Sequence, residues 1–299
     1  MDRVRLDIDH SGPDLRSLVA DAAATRAAMS GPGSGLGVGQ YQGVEITRAE
    51  INGQAVVFAT DMVRDPIQRR HRGGAFYEPE ELALIQSHLP EGGTFVDIGA
   101  NVGNHCLFAG LFTDAARIIP FEPNPLAYRL LVLNVVLNRL EDRVVFDHLG
   151  CGASDLDRDG FAMTEQIKNL GAARMVAGAG EISTVRPDDV LRDEVPDVIK
   201  IDVEGMEIQV LRGLQKTIAR TRPVLLLEVN RENIHDFADW RLAHGFVIPV
   251  SIKHYPENRN FLCVPEERVA PQTGQRRARG GAKTGRKRAR GGAGRAQDE

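Results

Sequence analysis

A short apolar strand that runs into a glycine turn and then a helix is the feature that most constrains this chain. Residues 94–98 predict the buried strand, residues 99–103 read Gly-x-Asn-x-Gly, and residues 104–113 have helical character. This arrangement lets backbone closely approach a ligand. Asn101 stands where a dinucleotide-binding motif has its second glycine, which argues against a pyrophosphate and so against a nicotinamide-dependent oxidoreductase.

Apolar strands and amphipathic helices alternate from Thr94 onward. Strands are predicted at 94–98, 117–122, 143–149, 197–203, 223–229, 246–252 and 260–264, and helices near 104–113, 125–138, 206–220 and 232–244. The last two strands are joined by a short loop, which predicts an antiparallel hairpin. The pattern indicates an α/β fold with a seven-stranded, mostly parallel sheet, helices on both faces and this hairpin at one edge.

Four parts are predicted along the chain. Residues 1–40 hold a helix and a Gly-rich linker, 41–92 a β-hairpin and a helix that precede the core, 93–268 the α/β domain, and 269–299 a basic tail. The hairpin turn is expected at Asn52-Gly53, because this dipeptide favours two-residue turns. The tail lacks apolar periodicity and is expected to be disordered.

The formal net charge of −4 conceals an asymmetry. Residues 276–295 contain nine Lys or Arg and no acid, and removing these nine charges leaves −13 for the rest. An Arg/Gly-rich tail indicates a nucleic-acid or other acidic partner. The acidic body argues against nucleic-acid recognition by the fold itself.

Localisation follows from what the sequence lacks. No run of about eighteen apolar residues is present, so no membrane association is expected. No apolar segment follows the first residues, so a secretory signal is not expected either. Cys106, Cys151 and Cys263 are widely spaced, which is typical of reduced, buried thiols rather than of a zinc site. The sequence therefore predicts a cytoplasmic protein.

Polar residues stand at the carboxyl ends of the predicted strands, where open α/β sheets bind their ligands. Glu122 ends the second strand, 23 residues after Gly99. An acid about 20 residues past such a turn is placed to accept hydrogen bonds from ribose hydroxyls. His148 ends the third strand, where an ordinary surface or strand-end histidine is a better explanation than catalysis.

The fourth and fifth strands also end in charged residues. Lys200, Asp202 and Glu204 alternate, so the three side chains share one face. Glu228 interrupts an apolar run, where it could contact an acceptor or pair with Lys200. Hard oxygen ligands such as Asp202, Glu204 and Glu228 suit Mg²⁺, but we predict no metal site.

Three ordered segments resemble the FkbM family of S-adenosylmethionine-dependent methyltransferases: 96–104, 121–125 and 200–207. Residues 76–80 and 223–229 are similar to that family as well, and the likeness spans about 70–264. The resemblance implies a Rossmann-like class I methyltransferase fold and S-adenosylmethionine as the cofactor.

The resemblance also implies which residues bind the cofactor. The residues expected around its methionine part are Asp97, Gly99, Asn101 and Gly103, with Glu122 on the ribose. The full predicted set is Glu78, Asp97, Gly99, Asn101, Gly103, Asn104, Glu122, Pro123, Asn124 and Asp202.

Methylation of a hydroxyl on a sugar or natural-product-like small molecule is the predicted reaction. An alcohol that attacks a methyl group must lose its proton, so a general base is expected. Asp202 or Glu204 is the first choice and His148 the third. One alternative is an RNA or protein methyltransferase that uses the basic tail. A second is a non-catalytic binding protein on a methyltransferase fold, against which the intact Gly99 and Glu122 argue.

Overall fold

The computed structural model describes residues 14–29, 37, 39–164, 169–178 and 180–269. The predicted basic tail and most of the Gly-rich linker lie outside the described residues. One compact unit extends to Arg268. Within the described ranges, no helix is long and apolar enough to cross a membrane.

Nine α-helices are present in the described part of the chain. They are α1 Leu15–Met29, α2 Pro66–Arg72, α3 Pro79–His88, α4 Asn104–Phe112, α5 Pro125–Leu137, α6 Pro187–Val190, α7 Glu207–Gly213, α8 Gln215–Thr221 and α9 Ile234–Ala243. Proline occupies the first turn of four of them, where its missing N–H costs nothing. The single helix predicted near 206–220 is divided at Leu214 into α7 and α8.

Twelve strands form three sheets in the same residues. They are β1 Glu45–Ile51, β2 Gln54–Thr60, β3 Thr94–Ile98, β4 Arg117–Phe121, β5 Cys151–Ala153, β6 Arg158–Met163, β7 Met175–Ala177, β8 Ile182–Val185, β9 Val198–Ile201, β10 Val224–Asn230, β11 Phe246–Ile252 and β12 Asn258–Pro265. The main sheet has the order β11-β12-β10-β9-β3-β4. Its four strands from β4 to β10 are parallel, and the β11–β12 hairpin is antiparallel.

Both faces of the main sheet are covered, as a parallel sheet requires. Alternate residues of β3 point to opposite faces: Phe95 joins one buried cluster with α5, whereas Val96 and Ile98 join another with α7. The prediction of a Rossmann-like, mostly parallel sheet with an antiparallel edge hairpin is therefore confirmed.

The seventh strand, predicted at 143–149, is not confirmed. Residues there make only two isolated bridges to the β4 side, Ile118 with Val144 and Glu122 with Leu149. Between the bridges the chain turns, and Leu149 N donates to Phe146 O at 3.0 Å. Asp147 in this turn explains the break, because Asp favours turns over strands.

A second sheet of four short strands, β5-β8-β6-β7, was not predicted. It follows the turn at 143–149 in the chain. Strand β5 pairs in parallel with β8, although β6 and β7 lie between them in the sequence. The β1–β2 hairpin and its Asn52-Gly53 turn are as predicted. This hairpin lies on α5, where Asn134 Oδ1 accepts from Ala59 N at 2.7 Å.

Candidate active site

Two adjoining cavities open at the carboxyl ends of the central strands. The β4 cavity lies beside β4 and is walled by Phe121, Glu122, Pro123, Met163, Leu170 and Met175 among others. The β10 cavity, with a volume of about 280 Å³, is walled by Tyr77, Glu78, His105, Glu228, Tyr255 and Asn258 among others. Both are lined by Gly99, Asn101, Gly171, Asp202 and Glu204. These shared residues mark the place where two ligands, one in each cavity, would meet.

Gly99 is required by its surroundings. Its φ is +85°, and a Cβ atom there would lie 1.8 Å from the backbone oxygen of Asp202. Asp202 N in turn donates to Ile98 O at 2.9 Å, which keeps the two strand ends in register. Bare backbone at this position therefore lets β3 and β9 end side by side at the cavity wall.

Glu122 organises the turn after β3 through both carboxylate oxygens. Asn101 N donates to Oε2 at 2.7 Å and Asn124 N donates to Oε1 at 2.8 Å. Burial raises the pKa of Glu122 to about 7, although these two N–H groups lower it. A carboxylate accepts more than two hydrogen bonds, so Glu122 retains acceptor capacity towards the β4 cavity.

Lys200 on β9 has several carboxylates around its ammonium group. Its Nζ donates to Asp202 Oδ2 at 3.1 Å and lies 3.9 Å from Asp97 Oδ1. Burial would lower the pKa of Lys200, but the charges of Asp202, Asp97 and Glu78 outweigh it and raise the pKa. The ammonium is therefore charged and offsets part of the negative charge of the site.

Glu204 and Glu228 carry carboxylates without an ion-pair partner among the described residues. Oxygen atoms of Asp202, Glu204 and Glu228 lie within 4.8 Å of one another. Burial and the charge of Asp202 raise the pKa of Glu204 to about 7. Burial and the charges of Asp202 and Glu204 raise the pKa of Glu228 to about 9. Glu204 therefore changes protonation near neutral pH.

The start of α4 holds the segment before α3 in place. Asn104 Oδ1 accepts from Tyr77 N at 2.9 Å, and Asn104 Nδ2 donates to Tyr77 O at 3.0 Å. The next residue along the chain, Glu78, has φ +54°. Its Oε2 lies 3.4 Å from His105 Nε2, at the wall of the β10 cavity.

The predicted site residues are only partly brought together. Gly99, Asn101, Glu122, Pro123, Asp202 and Glu204 line the β4 cavity, and Glu78 and Asn104 line the β10 cavity. Three others lie behind these walls. Asp97 is fully buried and accepts from Cys106 Sγ at 3.2 Å, Asn124 caps α5, and Gly103 packs against Leu131.

His148 does not join Asp202 and Glu204 in the lining of either cavity. Its ring stacks on Phe121 at 4.8 Å, and it lines neither cavity. The turn at 143–149 accounts for this position, because the residue no longer continues a strand towards the shared edge.

Several lining residues were not predicted. Met163, Leu170 and Met175 cover the β4 cavity from the second sheet and the turn within it. Tyr255 reaches the β10 cavity from the β11–β12 loop, where its Oη lies 2.8 Å from Tyr77 Oη, and Asn258 reaches it from the start of β12.

The family model described as Methyltransferase FkbM domain matches residues 97–248. The hexuronic acid methyltransferase AglP of Haloferax volcanii is 28% identical over 181 residues, which cover 60% of this chain and 72% of that protein. The 31-O-demethyl-FK506 methyltransferase FkbM of Streptomyces tacrolimicus is 30% identical over 159 residues, covering 42% of this chain and 61% of that protein.

A methyltransferase FkbM from Methylobacillus flagellatus is among the similar solved structures. It shares 23% sequence identity and a TM-score of 0.41 with this chain, covering 57% of this chain and 43% of that one. The chain thus spans less than half of that protein, and about six tenths of the Streptomyces relative.

Proposed function

The chain belongs to the FkbM methyltransferase family, and from that membership we propose an S-adenosylmethionine-dependent O-methyltransferase whose acceptor is a hydroxyl on a sugar or natural-product-like small molecule. Two relatives are named for methylation of a hexuronic acid and of 31-O-demethyl-FK506. Those names support a hydroxylated small molecule as the acceptor.

Two features of the β4 cavity support the binding of the nucleoside end of this cofactor there. Glu122 has free acceptor capacity for the ribose hydroxyls, and the apolar side chains of Met163 and Met175 suit a flat base. Gly99 lets the ends of β3 and β9 lie side by side at the cavity wall. When bound, S-adenosylmethionine supplies an electrophilic methyl group on a positively charged sulfonium.

The observation that carries the proposal is that the two cavities share one wall. Gly99, Asn101, Gly171, Asp202 and Glu204 line both. A methyl donor in the β4 cavity and an acceptor in the β10 cavity would therefore meet beside these five residues, where the two cavities adjoin. Holding two reactants in line is the main contribution a protein makes to such a displacement.

Glu204 is the proposed general base. Asp202 already accepts a hydrogen bond from the ammonium of Lys200. Glu204 has no such partner, and its pKa of about 7 suits proton transfer at neutral pH. His148 lines neither cavity and takes no part in the proposal.

Titration calorimetry and a transfer assay test the proposed function separately. The protein is first titrated with S-adenosylmethionine, and saturable binding is expected. It is then incubated with labelled cofactor and a panel of glycans, polyketides, peptides and RNA, where label is expected on a hydroxylated small molecule. Absence of cofactor binding would contradict the proposal, as would label found only on RNA or peptide.

A further inference from the structure

Among the described residues that line the β10 cavity, acidic side chains outnumber basic ones. Its acidic lining residues are Glu78, Asp202, Glu204, Glu228 and Glu257, and its only described lining cation is Lys200. Arg174 lowers the pKa of Glu204 but does not line this cavity. Bound S-adenosylmethionine would add one net positive charge, because its ammonium and carboxylate offset each other. The lining would still hold more acidic than basic side chains, and a neighbouring cation favours the ionised form of Glu204 and Glu228.

His105, which also lines the β10 cavity, has a buried polar atom that a ligand could satisfy. Among the residues that the structure describes, buried His105 Nε2 has no hydrogen-bond partner, and the His105 side chain is only 6% exposed. Burial and the charge of Lys200 lower the pKa of His105 to about 4. The imidazole is therefore neutral at pH 7 and does not neutralise Glu78, whose Oε2 lies 3.4 Å away.

A buried polar atom without a partner is costly unless a ligand satisfies it. The carboxylate of Glu78 offers only acceptors, and those of Glu228 and Glu257 add further acceptors around the same space. An ammonium group carries three donors and a positive charge, so it complements this wall. A carboxylate would meet like charges at close range.

We propose that the β10 cavity selects a hydroxylated acceptor that bears an amine, such as an amino sugar, and rejects one that bears a carboxylate. This inference rests on the proposed function, because it assigns the acceptor side of the same site. The preference differs from what the name of the hexuronic acid methyltransferase states for that relative.

Three probes that differ in a single substituent test the proposal: methyl glucosaminide, methyl glucoside and methyl glucuronide. Binding is measured by calorimetry at low salt, with and without saturating S-adenosylmethionine, and methyl transfer is measured in parallel. We expect the glucosaminide to bind at least tenfold more tightly than the glucoside, and the glucuronide to bind least.

A charge reversal on the cavity rim sharpens the test. Glu257→Lys changes an exposed lining residue and should reduce the ratio of glucosaminide to glucuronide affinity at least tenfold. Glu91→Lys makes the same charge change at an exposed position outside the cavity lining and should leave the ratio unchanged.

Three results would overturn the inference. The first is equal or tighter binding of the glucuronide, and the second is no binding of any probe by protein that binds the cofactor normally. The third is amine binding that competes with the cofactor, which would assign Glu78 and His105 to the cofactor's own amino group. Failure to bind S-adenosylmethionine would instead contradict the proposed function, and probe binding without cofactor would still decide the charge preference.

Discussion

Single residues with unusual backbone geometry are concentrated at the candidate site. Six described residues other than glycine have positive φ, and three of them, Glu78, Asn101 and Glu204, line the β10 cavity. Such conformations cost about 1–3 kcal/mol each and persist where the surroundings hold them. Hydrogen bonds hold two of these three residues. Glu122 accepts from Asn101 N, and Asn104 accepts from the backbone N–H of Tyr77, the residue before Glu78.

Gly99→Ala should damage the site through contact as well as through backbone strain. A Cβ atom would lie 1.8 Å from Asp202 O and would sit at φ +85°. We expect the free energy of unfolding to fall by about 3 kcal/mol or more, with loss of cofactor binding. Chemical denaturation and calorimetry measure the two effects.

Gly53→Ala is the matched control for that substitution. Gly53 has φ +80°, but no atom of the described part of the chain lies within 4 Å of its added Cβ. Only the strain remains, so a cost of about 1 kcal/mol and normal cofactor binding are expected. Equal costs for the two variants would show that the contact with Asp202 is unimportant.

The protonation of Glu204 should set the pH dependence of methyl transfer. A base acts when it is deprotonated, and burial with the charge of Asp202 raises the pKa of Glu204 to about 7. The turnover number kcat should therefore rise with pH and level off above about 7. A pH–rate profile at saturating cofactor measures this.

Glu204→Gln should lower kcat about 10²-fold and remove that pH dependence, because the amide cannot accept the proton. Cofactor affinity should change little. A variant that keeps the wild-type profile would transfer the role of base to another group.

Elements with a strong repeating pattern were predictable, and elements fixed by distant partners were not. Buried strands such as β3 and β10 appear in the sequence as apolar runs. Helix α5 appears as a proline followed by a mostly apolar segment. Strands β5 and β7 are only three residues long, too short to show a period. Their pairing depends on tertiary contacts.

Helix α5 ties the N-terminal hairpin to the turn after β3. Asn134 Oδ1 accepts from Ala59 N at 2.7 Å, and Asn134 Nδ2 donates to Val102 O at 2.8 Å. Asn134→Ala would leave both backbone groups buried and unpaired. We expect a loss of about 2–4 kcal/mol in the free energy of unfolding, measured by denaturant titration.

Asn138→Ala provides the comparison, one helical turn later. Asn138 makes similar bonds to Val57, at 2.9 and 2.7 Å, but it is half-buried, and water can replace them. Its cost should be about 1 kcal/mol. A larger loss for Asn138→Ala than for Asn134→Ala would contradict this account of the hairpin contact.

In the whole molecule, the cofactor side of the site could be predicted further than the acceptor side. The ends of consecutive strands meet at one edge of a parallel sheet, so Gly99, Glu122 and Asp202 could be grouped from sequence alone. His105 and Tyr255 could not, because a helix start and a hairpin loop carry them to the cavity. Their positions depend on packing between elements far apart in sequence.

The central claim is that the β4 cavity binds S-adenosylmethionine, and titration of wild-type and Glu122→Ala protein with this cofactor tests it most directly. Glu194→Ala, which removes an acid paired with Arg117 outside both cavity linings, is the control. The account predicts saturable binding to wild type and Glu194→Ala, and affinity at least about tenfold weaker for folded Glu122→Ala. No binding to the wild type, or equal affinity for all three proteins, would contradict it.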